Sequence, residues 1–273
     1  MHDKGVLLHA HGRQPIDYIS QAIFCASQIK KFLQLPVALV TSEKNISEKC
    51  FDHIINVEAS NTTQKRKFLD DDNVKEVVWD NHSRVDSFAL TPFKETIVMD
   101  TDMVVGNSNL LKCFESKQDF LINNESIYLN KKHRKDLHIE YMNNFIKMYW
   151  ATVFYFKKTA WTEKYFNLLK HIKQNYQYYR FAYSIHETKY RNDYAFTIAM
   201  HMMNNFTASP NDRALPIKLF YVTDKDKVLD FANNKWKFAL PKDDGTYYRC
   251  NINNANMHVM NKFALDRICN EYN

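Results

Sequence analysis

Glycine is nearly missing from this chain of 273 residues, which holds only Gly5, Gly12, Gly106 and Gly245. Neither a GxGxxG dinucleotide fingerprint nor a GxxxxGK(S/T) phosphate loop can be assembled from these four. Dehydrogenases, P-loop NTPases and Gly-loop kinases are therefore excluded. Cysteine is sparse too: there are five, an odd number, with no CxxC pair. That spacing argues against a disulfide framework or zinc ribbon and leads us to expect a reducing, cytoplasmic setting. No run approaches the ~18 apolar residues of a membrane span. The opening Met1-His2-Asp3-Lys4 lacks the apolar core of a signal peptide. Internal repeats, low-complexity tracts and Pro/Gly/Ser linkers are also lacking.

What is present is ordinary globular material. Hydrophobic residues make up 45% and charged residues 25%, enough to bury a core without covalent staples. The formal net charge of +6 is compatible with an acidic partner such as a nucleotide phosphate or nucleic acid.

Hydrophobic periodicity points to an α/β fold. Gly5 to Ala10 is a short apolar run fit for a buried strand. Asp17 to Leu33 sets Ile19, Ala22, Ile23, Ala26, Ile29 and Phe32 at helical spacing. Leu35 to Thr41 reads as a second strand, so the order strand, helix, strand predicts a parallel βαβ unit. Ile54 to Val57 and Thr96 to Met99 look like further buried strands. Beyond Asp102 the pattern predicts strands at 119–122, 151–156 and 219–222. It predicts helices at 162–175, 191–203 and 262–271, and an irregular polar stretch from Tyr247 to His258.

The sharpest chemical signal is Asp100-Thr101-Asp102, two carboxylates one residue apart at the end of a buried strand. Open α/β sheets bind ligands at that end. Paired carboxylates suit a hard divalent cation, Mg²⁺ or Mn²⁺, shared with substrate phosphates. Asp70-Asp71-Asp72 reads as a solvated loop. Asp224-Lys225-Asp226, which follows an apolar run, is a real rival that we read as a strand-end turn.

The stretch from Arg84 through Phe88-Ala89-Leu90-Thr91-Pro92-Phe93 to Asp100-Thr101-Asp102 resembles the metal-site segment of GT-A glycosyltransferases. It is most similar to the glycogenin-like glycosyltransferase family 8. The resemblance covers residues 5 to 105 and becomes diffuse beyond. It implies a single GT-A domain over 1–273 with a mixed central sheet, a nucleotide-binding half at 1–105 and an acceptor-binding half at 106–273. It further implies a UDP-sugar donor, with Ala10, His11 and Tyr18 lining the nucleobase pocket and Tyr18 stacking on the base. Arg84 would reach the nucleotide or sugar, and Thr101 the ribose. Asn256 to Lys262 resembles the closing His segment of the family, so His258 would complete the metal site and Lys262 would grip the diphosphate.

Two departures stand beside the likeness. Trp150 and Thr152 occupy the places of the family's Asn and Gly before the central strand. The family's Asp-Gln pair is met only by Arg191-Asn192-Asp193-Tyr194, where Asp193 is the best candidate for a catalytic, sugar-contacting carboxylate. The basic run Lys131 to Lys135 and the stretch Tyr176 to Arg180 read first as a solvated face and, with their aromatics, alternatively as a contact for phosphates and bases. With the net positive charge, an Asn/Lys/Ile/Tyr/Phe bias of the AT-rich kind and the lack of a signal peptide, hydroxymethylated bases of phage DNA are one expected acceptor, alongside glycan, lipopolysaccharide and protein hydroxyls. A sugar nucleotidyltransferase and a non-enzymatic nucleic-acid-binding protein are the competing classes.

Overall fold

The computed structural model describes residues 3–12, 14–46, 49–59, 64–70, 73–78, 83–130, 138–142, 144–207 and 211–272. Arg13, Asp71, Asp72 and the basic run 131–135 lie outside the described residues. The chain opens with β1 (Lys4–His9), α1 (Tyr18–Phe32), β2 (Val37–Thr41) and β3 (His53–Asn56). These three strands are parallel, as the βαβ pattern predicts. Asp17 caps α1, accepting from the backbone N–H groups of Ile19 and Ser20, which is why the helix starts at Tyr18.

A hairpin of β4 (Lys65–Asp70) and β5 (Asn73–Val78) follows, unannounced by its charged, weakly apolar sequence. Asp70 is not solvated as expected: it is paired with Lys75 at 2.5 Å and Arg267 at 2.7 Å. A 3-10 turn at Ser83–Asp86 leads into the short α2 (Ser87–Leu90), then β6 (Glu95–Met99) and β7 (Met103–Val104). The chain continues through β8 (Phe120–Asn123), β9 (Ser126–Tyr128), the hairpin β10 (His138–Tyr141) and β11 (Asn144–Lys147), and β12 (Trp150–Lys157). Next come α3 (Ala160–Gln174), α4 (Tyr176–Ala182), α5 (Asn192–Met203) and β13 (Leu219–Val222). The chain ends with β14 (Lys227–Ala232), β15 (Lys235–Pro241), β16 (Tyr247–Asn253), β17 (Met257–Val259) and α6 (Lys262–Tyr272).

The central sheet runs β3-β2-β1-β6-β12-β8. β6 joins β1 in parallel and β12 joins β6 antiparallel, so the α/β class with a mixed central sheet is what forms. Alternate residues serve opposite cores, as a strand's period of two requires. Val6, Leu8, Ile97, Met99, Val153 and Tyr155 face α1 through Ile19, Ala22 and Ala26. Leu7, Val98, Phe154 and Phe156 face α3 and α5 through Tyr165, Phe166 and Phe196. Burial on both faces explains why these strands are continuous apolar runs.

A second sheet, β7-β17-β13-β9, stands beside the first. A third, antiparallel sheet, β14-β15-β16, corrects the expectation of an irregular stretch from Tyr247. Along β16 every second residue is half-buried: Tyr248, Cys250 and Ile252. The alternation is real but interleaved with polar residues, so it does not stand out as an apolar run. Among the described residues no helix is long and apolar enough to cross a membrane, and all five cysteines are free thiols.

Candidate active site

Asp100 follows directly on β6, at the carboxyl end of the parallel strands. Its backbone N–H donates to Thr152 O at 2.9 Å, and its carbonyl accepts from Met103 N at 3.1 Å. The tight turn so formed returns the chain into β7. There Met103 pairs with His258, and Val104 with Met257, in a two-residue antiparallel ladder. Val259 N donates to Asp102 O at 3.0 Å. This ladder brings His258 to Asp102 across 156 residues of sequence, with His258 Nε2 at 3.0 Å from Asp102 Oδ2.

The approach depends on Gly106. A Cβ there would lie 2.4 Å from the carbonyl oxygen of Ala255, closer than any side chain permits. Just past β17, Asn261 caps α6 by accepting from Ala264 N at 3.1 Å. That places Lys262 at the start of the helix, where its ammonium ion-pairs with Asp102.

On the other side Arg84, from the 3-10 turn before α2, ion-pairs with Asp100 and donates to Ala151 O at 3.1 Å. Burial pulls the Arg84 pKa down, while Asp193 and Asp102 hold it up; the guanidinium remains charged. Burial alone would raise Asp102. The charges of His258 and Lys262, with the hydrogen bonds they donate, outweigh it and hold the carboxyl well below the usual carboxylate range.

Asp193 lies in the first turn of α5. Its Oδ1 accepts from Ala151 N at 2.9 Å and its Oδ2 from Arg191 at 2.7 Å. The register of β12 against β8 slips between Trp150 and Phe154, and Asp193 satisfies the N–H that this bulge removes from the ladder. Burial would raise Asp193, but Arg191, the Ala151 N–H and Arg84 prevail and lower it.

One cleft is lined by Arg84, Asp100, Asp102, Asp193, His258 and Lys262 together. Of the residues singled out from sequence, Ala10, His11, Tyr18 and Thr101 are not among its lining residues. Ala10, the residue after β1, is buried, His11 Nδ1 meets Ser42 Oγ at 3.1 Å, and Thr101 is buried in the turn. Tyr18 approaches through Lys262, whose ammonium is 5.5 Å from its ring centroid. The Tyr18 hydroxyl is buried with no hydrogen-bond partner among the described residues. Sequence reasoning missed Arg66, on β4, and Arg191 as lining residues. The basic Lys65-Arg66-Lys67 run was the available signal for Arg66, and its place in a hairpin was hidden.

The rival Asp226 is a turn organiser. It accepts from Thr223 N at 2.5 Å, Thr223 Oγ1 at 2.9 Å and Tyr128 at 2.5 Å. In the Tyr176 to Arg180 stretch, Tyr176 and Tyr179 are buried in the core, and Arg180 is held by Gln177 Oε1 at 2.6 Å.

The cleft fits a divalent cation. One ligand atom each from Asp100, Asp102 and His258 can lie within 4.8 Å of one another. Asp102 Oδ1, His258 Nδ1 and Thr152 Oγ1 are buried with no hydrogen-bond partner among the described residues. Two carboxylates and an imidazole form a donor set for a divalent cation.

No family model matches the chain, and no curated protein does. Among solved structures, the glycosyltransferase GlyE of Streptococcus pneumoniae TIGR4 overlays with a TM-score of 0.42 at 10% identity. The overlay covers 78% of this chain and 46% of GlyE, so the chain spans under half the length of that protein. Mouse xyloside xylosyltransferase 1 gives a TM-score of 0.43 at 10% identity, covering 75% of this chain and 83% of the other. The inositol-1-phosphate CTP transferase of T. maritima gives 0.40 at 13%, covering 74% and 82%. These are remote likenesses.

Proposed function

We propose that this chain is a metal-dependent glycosyltransferase that moves a sugar from a nucleotide-sugar, a UDP-sugar, to an acceptor hydroxyl. One observation carries the reading: Asp100 and Asp102, at the carboxyl end of β6, meet His258, Lys262 and Arg84 in a single cleft. Such a site recognises a diphosphate and stabilises it as a leaving group.

Asp100, Asp102 and His258 would hold Mn²⁺ or Mg²⁺, which when bound supplies positive charge to the diphosphate. Lys262 Nζ and the Arg84 guanidinium donate charge-assisted hydrogen bonds to the departing phosphate oxygens, where negative charge develops. Tyr18, beside Lys262, offers an aromatic face to the base. Asp193, with Arg191 and Trp150, lines the same cleft and would orient the transferred sugar and its acceptor. Both Asp193 oxygens are engaged, which suits positioning better than attack. The acceptor we propose is a hydroxymethylated base in DNA, supported by the net charge of +6 and by the cations Arg66 and Arg191 on the cleft wall.

The test is donor turnover. The protein is incubated with Mn²⁺ and UDP-, GDP- and ADP-sugars, with and without hydroxymethylpyrimidine DNA. Release of nucleoside diphosphate, lost in Asp102→Asn, is the expected result, and stimulation by the modified DNA identifies the acceptor. Release of pyrophosphate from a nucleoside triphosphate and a sugar phosphate instead would make the chain a nucleotidyltransferase.

A further inference from the structure

We infer that Lys262 and Arg84 are resident counter-ions of the two carboxylates and that Lys262 must exchange Asp102 for a nucleoside diphosphate when a divalent cation binds, so that metal and nucleotide bind as a coupled pair. This rests on the nucleotide-sugar reading above. One oxygen of each carboxylate already faces a cation, while Asp102 Oδ1 has no partner among the described residues. Asp102 Oδ2 is shared by the Lys262 ammonium and His258 Nε2, and Asp100 Oδ1 faces the Arg84 guanidinium.

Neither ion pair is a screened surface contact. The side chains of Lys262 and Asp102 are 13% and 1% exposed, and those of Arg84 and Asp100 are 18% and 12% exposed. In so enclosed a site a divalent cation arriving alone meets two like charges at close range. It also strands whichever cation it displaces, and an unpaired buried charge is strongly unfavourable. A diphosphate removes both obstacles, because its oxygens accept the hydrogen bonds that the carboxylates surrender.

The two cations differ in freedom. Arg84 stays anchored through its bond to Ala151 O. Lys262 stands on a flexible stem at the first residue of α6, near the face of Tyr18. Lys262 is therefore the side chain that changes partner, from Asp102 to the diphosphate. By linkage the effect is reciprocal: nucleotide tightens metal by the same factor as metal tightens nucleotide.

The experiment measures Mn²⁺ binding by electron paramagnetic resonance of the free ion, with and without UDP. It is done on wild type, Lys262→Met and Lys262→Arg, each checked for folding by circular dichroism. Wild type is expected to bind Mn²⁺ weakly alone and roughly tenfold or more tightly with UDP. Lys262→Met should bind Mn²⁺ alone several-fold tighter than wild type and lose most of the UDP enhancement. Lys262→Arg should match wild type for the metal alone.

If Lys262→Met binds Mn²⁺ alone no better than wild type while UDP still tightens the metal, the displacement idea is wrong and the nucleotide-sugar reading stands. If Lys262→Met does not fold, wild type decides: equal Mn²⁺ affinity with and without UDP overturns the coupling. A wild type that binds neither ion nor UDP removes both readings, an outcome distinct from the other two.

Discussion

Asp193 Oδ1 accepts a hydrogen bond from the backbone N–H of Ala151 at 2.9 Å, tying the first turn of α5 to the bulge in β12. The contact holds Trp150 and Thr152, on either side of Ala151, against the cleft. In Asp193→Ala the Ala151 N–H is left buried without its acceptor, at a cost of about 1–3 kcal/mol. The melting temperature should fall accordingly. Asp193→Asn keeps an acceptor oxygen and should retain most of the stability while losing the charge that Arg191 and Arg84 face. If Asp193 orients the sugar, both variants lose turnover, and only the alanine variant loses appreciable stability by calorimetry.

Replacing Asp102 by Asn removes the charge that Lys262 and His258 both meet. Release of nucleoside diphosphate should drop by about a hundredfold or more, in line with loss of a central electrostatic group. Chelation of wild type with EDTA should reach the same floor, and added Mn²⁺ should restore wild type but not the variant. Full activity in Asp102→Asn would remove this residue from the site.

Tyr18 tests the nucleobase pocket. Its hydroxyl is buried with no partner among the described residues, so Tyr18→Phe should leave the fold unharmed, its melting temperature equal to wild type or higher. Stacking needs only the ring. Tyr18→Phe should then keep UDP binding, and Tyr18→Ala should weaken it by about 1–3 kcal/mol. Equal UDP affinity in all three proteins would show that the base does not lie on Tyr18.

Gly106 sets the distance between the segments that carry Asp102 and His258. Its substitution by Ala drives a methyl group against the Ala255 backbone, a contact that only backbone movement relieves. The β7–β17 ladder should open and His258 should leave Asp102. Mn²⁺ affinity is therefore expected to fall at least tenfold, while the far-UV circular dichroism stays close to wild type. A variant with wild-type metal affinity would show that the ladder does not position His258.

His9, at the end of β1, meets Ser87 Oγ at 2.9 Å. Desolvation, then the positive charges of Arg84 and His11, hold its pKa well below the usual imidazole range. The folded state therefore keeps His9 neutral at a pH where the unfolded chain protonates it. As pH falls below about 6.5, the unfolded chain gains the proton, and stability drops by up to about 1.4 kcal/mol per pH unit from this group. Denaturant unfolding between pH 7.5 and 5 should show this slope. His9→Gln should flatten it, whatever its effect on stability at pH 7.5.

Local sequence was sufficient for the strands and helices that build the central sheet. β1, α1, β2 and β6 are legible because burial on both faces or on one helical stripe leaves its period in neighbouring residues. Asp100 and Asp102 were legible for the same reason, since the strand that ends at them is a clean apolar run. Tertiary structure alone decided the rest. The hairpin bearing Arg66 and the sheet holding β16 are polar, half-exposed strands whose partners supply the hydrogen bonds that their composition does not advertise. The choice of His258 among eleven histidines rested on family resemblance. Its approach to Asp102 comes from a ladder between segments about 150 residues apart, made possible where Gly106 lets two backbones touch. The twofold use of Asp102, by His258 and Lys262, was equally hidden. Periodicity reports which face a residue turns to the core, whereas charge pairing depends on where distant segments cross.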